Sequence, residues 1–182
     1  ARLYLQRCHE VGLDVIAITD HNFAEDANSS FLTYLVEVNR EVAEALGRPM
    51  IHILPGFEIE AHVGRGSHVL ALFERDTPLT VVDSKLSGVG LPVGARYEGG
   101  QPRPTRKALS EILRVVQGDA TVPGIVIAAH PQDAGIFDNL TREEQGDFLC
   151  QIRIRIGDSN HSSATAAGKL RSTCELRPAT RM

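Results

Sequence analysis

Val15-Ile16-Ala17-Ile18-Thr19-Asp20-His21-Asn22 is the stretch that decides the fold class. Its first four residues are apolar without alternation, which is typical of a short strand covered on both faces. The polar residues that follow include a carboxylate and an imidazole. In parallel α/β sheets, residues just past the carboxyl end of a strand lie at the edge where ligands bind. The stretch therefore predicts an α/β fold with a site at that edge.

Further strands are predicted downstream of this stretch. Apolar runs lie at residues 50–54, 68–73 and 124–129, and Pro55-Gly56 stops the first of them. Helix-like segments separate the runs. Alternation of this kind predicts a sheet of largely parallel strands.

The predicted helices follow from apolar residues at three- and four-residue steps. They cover residues 1–11 and 30–46, and a third helix lies near residue 112 with Thr105 as its cap. The apolar stripe of the second helix is Leu35, Val38, Val42 and Leu46, and that of the third is Leu109, Ile112, Leu113 and Val116.

Residues 77–104 differ from the rest because they contain five Gly and four Pro. We expect an insert without regular structure, and loops of this length inside a domain are usually lids, binding loops or disordered inserts. Our hypothesis is a lid over the site.

Composition limits the possible classes of protein. The chain has 182 residues, of which 42% are hydrophobic and 23% charged, as in one globular domain. No apolar run approaches the ~20 residues of a membrane helix, and no signal peptide is visible. The three cysteines are far apart, which disfavours a disulfide scaffold or a Cys-rich zinc site and predicts a cytoplasmic location.

The net charge of −4 is unevenly distributed. Residues 151–182 contain six Lys/Arg and two Asp/Glu, a balance of +4, so residues 1–150 carry −8. We expect a domain over 1–150 and a basic, poorly structured tail over 151–182. An acidic body is a poor non-specific binder of nucleic acid.

Candidate metal ligands lie at the ends of the predicted strands. His21 with Asp20, Glu58 and His130 each follow a strand, whereas His68 begins one. Imidazole and carboxylate together suit zinc, manganese or iron. Each residue alone could instead be a turn residue or a helix cap.

Two other histidines are expected to have ordinary roles. His52 lies within an apolar strand, which predicts a packed core histidine. His9 lies on the first helix and is expected at the surface.

Four segments together resemble the PHP (polymerase and histidinol phosphatase) domain family. They are Ile16-Ala-Ile-Thr-Asp-His-Asn22, Pro55-Gly-Phe-Glu58, Gly66-Ser-His-Val-Leu-Ala-Leu-Phe73 and Ile127-Ala-Ala-His-Pro131, in the family's order and within residues 1–150. The resemblance implies a distorted (β/α)7 TIM-like barrel with two or three divalent metal ions at its carboxyl rim. The long insert after His68 looks most like PHP members joined to an SMC-like ATPase.

The resemblance also implies roles for individual residues. His21 would be a metal ligand with Asp20 beside it, Glu58 would bridge two metals, and His68 and His130 would complete a second metal's shell. His21, Glu58 and His130 would then be the catalytic residues.

The sequence departs from the family pattern at both ends. The family's first motif, His-x-His, is not found, so we expect an incomplete barrel. The last motif, Asp-x-His, has Asp158-Ser-Asn-His161 as its nearest counterpart, one residue longer. Asp158 and His161 are thus either shifted metal ligands or a chance match.

Three functions follow as expectations. The first is metal-dependent hydrolysis of phosphate esters, on a phosphorylated small molecule or a nucleic-acid end. The second is a non-catalytic PHP remnant. The third is an accessory module of a nucleic-acid-processing ATPase or polymerase, to which the basic tail could contribute. No membrane partner is expected.

Overall fold

A computed structural model describes residues 1–23, 25–61, 67–130, 140–142 and 145, and the side chains of 25–30 are outside this description. The central sheet contains four strands: β1 (Val15–Ile18), β2 (His52–Glu60), β3 (His68–Leu72) and, last in the chain, β6 (Ile125–Ala128). They lie side by side in the order β1, β2, β3, β6. The chain is therefore an α/β protein, as predicted.

The strand directions correct the prediction of a largely parallel sheet. β1 and β2 are parallel, but β3 is antiparallel to both β2 and β6. Only seven residues separate β2 from β3, which is enough for a hairpin but too few for a parallel crossover. The sheet is mixed, and no closed barrel is formed by the described strands.

β2 is longer than predicted because it continues through Pro55-Gly56. Residues 52–55 pair with β1, and residues 56–60 pair with β3. Pro55 has no N–H to donate, and it lies at the end of one set of pairings, where a strand tolerates proline. Its carbonyl still accepts a hydrogen bond from Phe73 N (2.9 Å).

In the part of the chain that the structure describes, four helices accompany the sheet: α1 (Arg2–Glu10), α2 (Glu25–Leu46), α3 (Leu79–Gly88) and α4 (Leu109–Gln117). α1 packs against α2, α3 against β2, and α4 against β6. The predicted helical stripes are buried except for Leu46, and α2 begins five residues earlier than predicted. α4 begins after Ala108 rather than at Thr105, and the Glu111 carboxylate accepts a hydrogen bond from Ala108 N (3.1 Å).

The two faces of the sheet differ in exposure. One face is buried and carries Ile16, Ile53, Phe57, Ile59, Val69, Ala71 and Val126. The other face, which we call the open face, is half-exposed or exposed and carries Val15, Leu54, Glu58, Glu60, His68, Leu70, Leu72, Ile125 and Ile127. The apolar residues of the open face outnumber its polar ones, and the candidate ligands Glu58 and His68 lie among them.

The insert 77–104 is structured, which corrects the expectation of an irregular loop. It contains α3 and a small hairpin made of β4 (Tyr97–Glu98) and β5 (Gln101–Pro102). Val82, Leu86, Val89 and Leu91 of the insert are buried. Its glycines serve the turns, since Gly90, Gly94, Gly99 and Gly100 all have positive φ.

The described residues 140–142 and 145 belong to a second unit of the chain, distinct from the unit formed by residues 1–139. Within it, Gln145 N donates to Thr141 O (2.9 Å), as in a helical turn. The predicted tail 151–182 lies outside the described residues. None of the described helices has the length and apolar content of a transmembrane span.

Candidate metal centre

Four of the predicted site residues are brought together by the strand pairing. His21 continues the ladder beyond β1 and lies opposite Glu58 of β2. Asn22 N donates to Glu58 O (2.9 Å) and Glu58 N donates to Asp20 O (3.2 Å), so backbone hydrogen bonds flank His21 on both sides. His68 begins β3 opposite Glu60.

His130 approaches the same place from β6. Ala129 N donates to His68 O (3.0 Å), which extends the β3–β6 pairing by one residue. The backbone then turns, since His130 has φ +48°. His130 thus lies beside His68, and their ring centroids are 6.0 Å apart.

Glu58 Oε1 is the point on which the three imidazoles converge. His68 Nδ1 lies 2.7 Å from it, His21 Nε2 3.6 Å and His130 Nε2 3.7 Å. An ionised carboxylate only accepts hydrogen bonds, so it is the His68 tautomer protonated at Nδ1 that donates to Glu58. Nε2 of His68 then keeps its lone pair for another partner.

Exposure increases outward from the carboxylate. The Glu58 side chain is 13% exposed, His68 24%, His21 40% and His130 64%. The rings of His21 and His68 meet edge to face, with centroids 5.0 Å apart. The cluster is thus anchored at Glu58 and opens to solvent at His130, so a ligand can reach it.

The donor set suits a divalent cation. One donor atom each from His21, Glu58 and His68 lie within 4.8 Å of one another. Two ligand bonds of about 2.1 Å to one ion separate the ligand atoms by roughly 3–4 Å, so small side-chain rotations would suffice. Two imidazoles and a carboxylate form the donor set of several catalytic metal sites. The residues present therefore fit a zinc-, manganese- or iron-type ion.

The other predicted ligands are not part of this cluster. Asp20 is exposed and contributes its backbone carbonyl to the pairing with β2. Asp158 and His161 lie outside the described residues. The metal-binding roles of all three stay predictions.

Two histidines occupy places opposite to those expected. His9 is buried, and its Nε2 has no hydrogen-bond partner among the described residues. His52 is exposed, because it is the first residue of β2, and its Nδ1 lies 3.4 Å from Arg75 Nη1. The helix position of His9 faces the core, and the strand position of His52 faces outward. The local sequence around neither residue indicates this.

Residues of the insert contact the His21 loop, and the sequence analysis did not identify them. Tyr97 OH donates a hydrogen bond to His21 O. Burial, and to a lesser degree the charge of Asp20, raises the pKa of Tyr97, although Arg96 opposes the shift. The Tyr97 hydroxyl therefore stays protonated at neutral pH and remains a donor. The insert therefore contacts the loop that carries His21. This position is compatible with the predicted lid.

Comparisons with known proteins add no information about the site. No family model, characterised protein or solved structure matches the chain.

Proposed function

We propose that this protein is a divalent-metal-dependent phosphoesterase. The observation that carries the proposal is the convergence of three histidines on one carboxylate oxygen at an accessible edge of the sheet. A divalent cation held there would lower the pKa of a coordinated water and bind phosphoryl oxygens. Hydrolysis of a phosphate ester is the reaction that uses both properties.

The protein's own residues have distinct parts in this proposal. His21, Glu58 and His68 would hold the cation, and the 2.7 Å contact between His68 Nδ1 and Glu58 Oε1 would orient the His68 ring. Such carboxylate–histidine pairs orient a ligand ring and raise its basicity. His130 is the most exposed of the four, and in this proposal its imidazole would face the substrate and could donate a proton to the leaving-group oxygen.

The resemblance to PHP domains supports the same function, and with it a barrel-type fold. The carboxyl ends of β1, β2 and β6 lie at the edge that carries the cluster. The open face is apolar, as the inner layer of a barrel would be. We therefore propose that the mixed sheet is part of a PHP-type barrel, with two or three zinc, manganese or iron ions in its complete site.

Metal binding is the first test. We expect the purified protein to bind Zn²⁺ or Mn²⁺ in isothermal titration calorimetry, and Glu58→Gln to weaken binding by at least about tenfold. The neutral amide keeps the shape of the side chain but loses the charge and one acceptor. His68→Ala should have an effect of the same order.

His52→Ala is the matched control, because it removes an exposed histidine from the same sheet, at the other end of β2. It should bind metal as the wild type does. A protein that binds no metal, or one whose binding is equally sensitive to His52→Ala and His68→Ala, would contradict the proposed site.

The second test is activity. The metal-loaded protein should hydrolyse p-nitrophenyl phosphate or bis-p-nitrophenyl phosphate, and the preferred compound distinguishes a phosphatase from a phosphodiesterase. Glu58→Gln should lower kcat/KM by on the order of a hundredfold or more, since it removes the anchor of the cluster. Metal binding without hydrolysis of either compound would favour the non-catalytic alternative.

A further inference from the structure

The turn that carries His21 is unfavourable by itself. Asn22 and Phe23 have φ of +53° and +37°. Positive φ is unfavourable for most non-glycine residues; Asn tolerates it better than others, whereas bulky residues such as Phe adopt it least often. The turn is closed by a hydrogen bond from Phe23 N to Asp20 O (3.3 Å). Two consecutive residues in this region need contacts from elsewhere in the molecule to hold them.

Asn22 supplies the first such contact. Its side chain is fully buried, and Nδ2 donates to Arg96 O (2.7 Å) and to Arg103 O (2.8 Å). These two carbonyls flank the β4–β5 hairpin, because Arg103 N also donates to Arg96 O (2.9 Å). One amide group thus joins the His21 turn to both ends of the hairpin.

Arg96 supplies the second contact. Its side chain is almost completely buried, and its Nη1 donates to Phe23 O (3.1 Å). Nε donates to Leu91 O (3.0 Å), and Nη2 lies 2.7 Å from Asp83 Oδ1. The guanidinium is fixed within the insert on one side and holds the turn on the other. A buried, fully engaged Arg is a rigid support because its donors form a planar fork.

We infer that Asn22 and Arg96 are positioning residues, which hold the strained turn 20–23 so that the His21 imidazole faces Glu58. The inference rests on the proposed function in so far as His21 is a metal ligand. It assigns to the insert 77–104 the role of a fixed support for one ligand rather than that of a lid. Neither side chain touches the metal or the substrate in this role.

Asn22→Gly is the decisive variant. Glycine adopts positive φ readily, so the backbone conformation remains accessible while both side-chain hydrogen bonds are lost. We expect Co²⁺ affinity, measured from the visible spectrum, to fall at least about tenfold, as is usual when a support of a metal ligand is removed. Arg96→Lys should act in the same direction, because an ammonium group cannot replace the planar fork.

A double-mutant cycle separates positioning from general destabilisation. In a His21→Ala background, Asn22→Gly should change Co²⁺ affinity by no more than about twofold, since the ligand that it positions is gone. Thr105→Val is the control variant: it removes the hydroxyl that donates to Val89 O of the insert and accepts from Lys107 N, and it removes no bond to the turn. It should lower the melting temperature without weakening Co²⁺ binding.

Metal-free NMR spectroscopy tests the inference independently of metal binding. In the wild type we expect contacts between the ring protons of His21 and His68, and slow hydrogen exchange of the backbone N–H of residue 22. We expect both signals to be lost in Asn22→Gly and in Arg96→Lys. If the folded variants bind Co²⁺ as the wild type does, the inference is wrong and the proposed function stands. If the wild type binds no Co²⁺, the proposed function fails, and retention of the NMR signals in the variants would overturn the inference too.

Discussion

Glu58 owes its role to its place in the pleat of β2. Its neighbours Phe57 and Ile59 are completely buried on one face of the sheet, while Glu58 points to the other. Side chains alternate along a strand, so a shift of one residue would bury the carboxylate and expose the two apolar side chains. The cost of that shift fixes the register, and the register places the carboxylate opposite His21.

Gly56 lies two residues earlier and leaves no room for a side chain. A Cβ built there would be 2.3 Å from Ala71 O and 3.1 Å from both Leu72 and Thr19. The closest atom belongs to the backbone of β3 and cannot rotate away. We expect Gly56→Ala to lower the free energy of unfolding by about 1–3 kcal/mol or more, measured by urea denaturation.

Gly88→Ala is the matched control at the end of α3. Its new Cβ would meet only the Val115 side chain, at 3.0 Å, and alanine favours the helix. The change should be within about 0.5 kcal/mol of neutral. Equal effects of the two substitutions would show that the fit at Gly56 is looser than the distances indicate.

The sequence indicates the residues of the cluster but not those that support it. His21, Glu58, His68 and His130 could be singled out because each lies at a strand end, where the fold predicts a site. Asn22 and Arg96 could not be identified in this way, since the partners that join them across the turn and the insert are backbone carbonyls far along the chain. Every residue has a backbone carbonyl, so such a partner cannot be recognised from the sequence. The misplacement of His9 and His52 has a similar cause: burial depends on how elements pack.

At the scale of elements, the direction of β3 explains an apparent exception. His68 begins its strand, whereas Glu58 lies within β2 near its carboxyl end, and His21 and His130 lie beyond the carboxyl ends of β1 and β6. Because β3 is antiparallel, its amino end lies at the same edge as the carboxyl ends of β2 and β6. The ligand positions are thus consistent with one edge although the prediction of parallel strands was wrong.

The insert shows where composition misleads. Its Gly and Pro content predicted irregular structure, but most of those residues lie between or beside regular elements, and Gly88 and Pro102 belong to α3 and β5 themselves. The apolar residues between them, among which Val82, Leu86 and Leu91 are buried, form part of the core. The spacing of apolar residues indicates a buried helix better than the Gly and Pro content does. In this segment the apolar stretches are too short for that spacing to be recognised.

α3 and α4 are joined by an ion pair that gives a pH-dependent test. Lys85 Nζ donates to Asp119 Oδ2 (3.0 Å) and to Val115 O (3.1 Å). The Thr121 hydroxyl, the Lys85 ammonium and the backbone N–H groups of Thr121 and Val122 hold the pKa of the Asp119 carboxyl well below its usual range. The folded state therefore favours the ionised carboxylate.

Asp119→Asn should lower the melting temperature at pH 7. Because the folded-state pKa is depressed, the stabilisation is complete above the unfolded value of about 3.9 and is lost as the pH falls below it. The difference in melting temperature between wild type and variant should therefore narrow between about pH 4 and pH 2. Asp76→Asn, at an exposed pair with Arg75, should have little effect at either pH. A constant Asp119→Asn difference across the range would contradict this account.

At the scale of the whole molecule, the sheet has one face in the core and one that is largely apolar and open. Val15, Ile125 and Ile127 lie on the open face, in the two outer strands, and are each at least 40% exposed. Apolar residues beside strand edges that no other described strand covers favour association between molecules. The α/β class was predictable from the alternation of elements, whereas the pairing at the sheet edges depends on contacts that no local pattern encodes.

Ile127→Lys tests the open face. A charge at this exposed position should reduce the binding of the dye ANS and the light scattering of concentrated samples, with a change in the free energy of unfolding of about 0.5 kcal/mol or less. Val36→Lys, at a similarly exposed residue of α2, should leave both signals near the wild-type level. Equal effects of the two variants would locate the association elsewhere.

The hydrogen bonds from Asn22 to the backbone carbonyls of residues 96 and 103 also have a consequence for the order in which parts of the protein fold. The His21 turn lies near the start of the chain, but its support is completed some 80 residues later. Closing so long a loop is entropically costly and comes late in folding. We therefore expect β1 and β2 to pair early, with the backbone on both sides of His21 bonded to β2, and the contacts of Asn22 and Arg96 that hold the turn to form last. In the proposed metal centre, His21 would therefore become a fixed ligand only once the hairpin is in place.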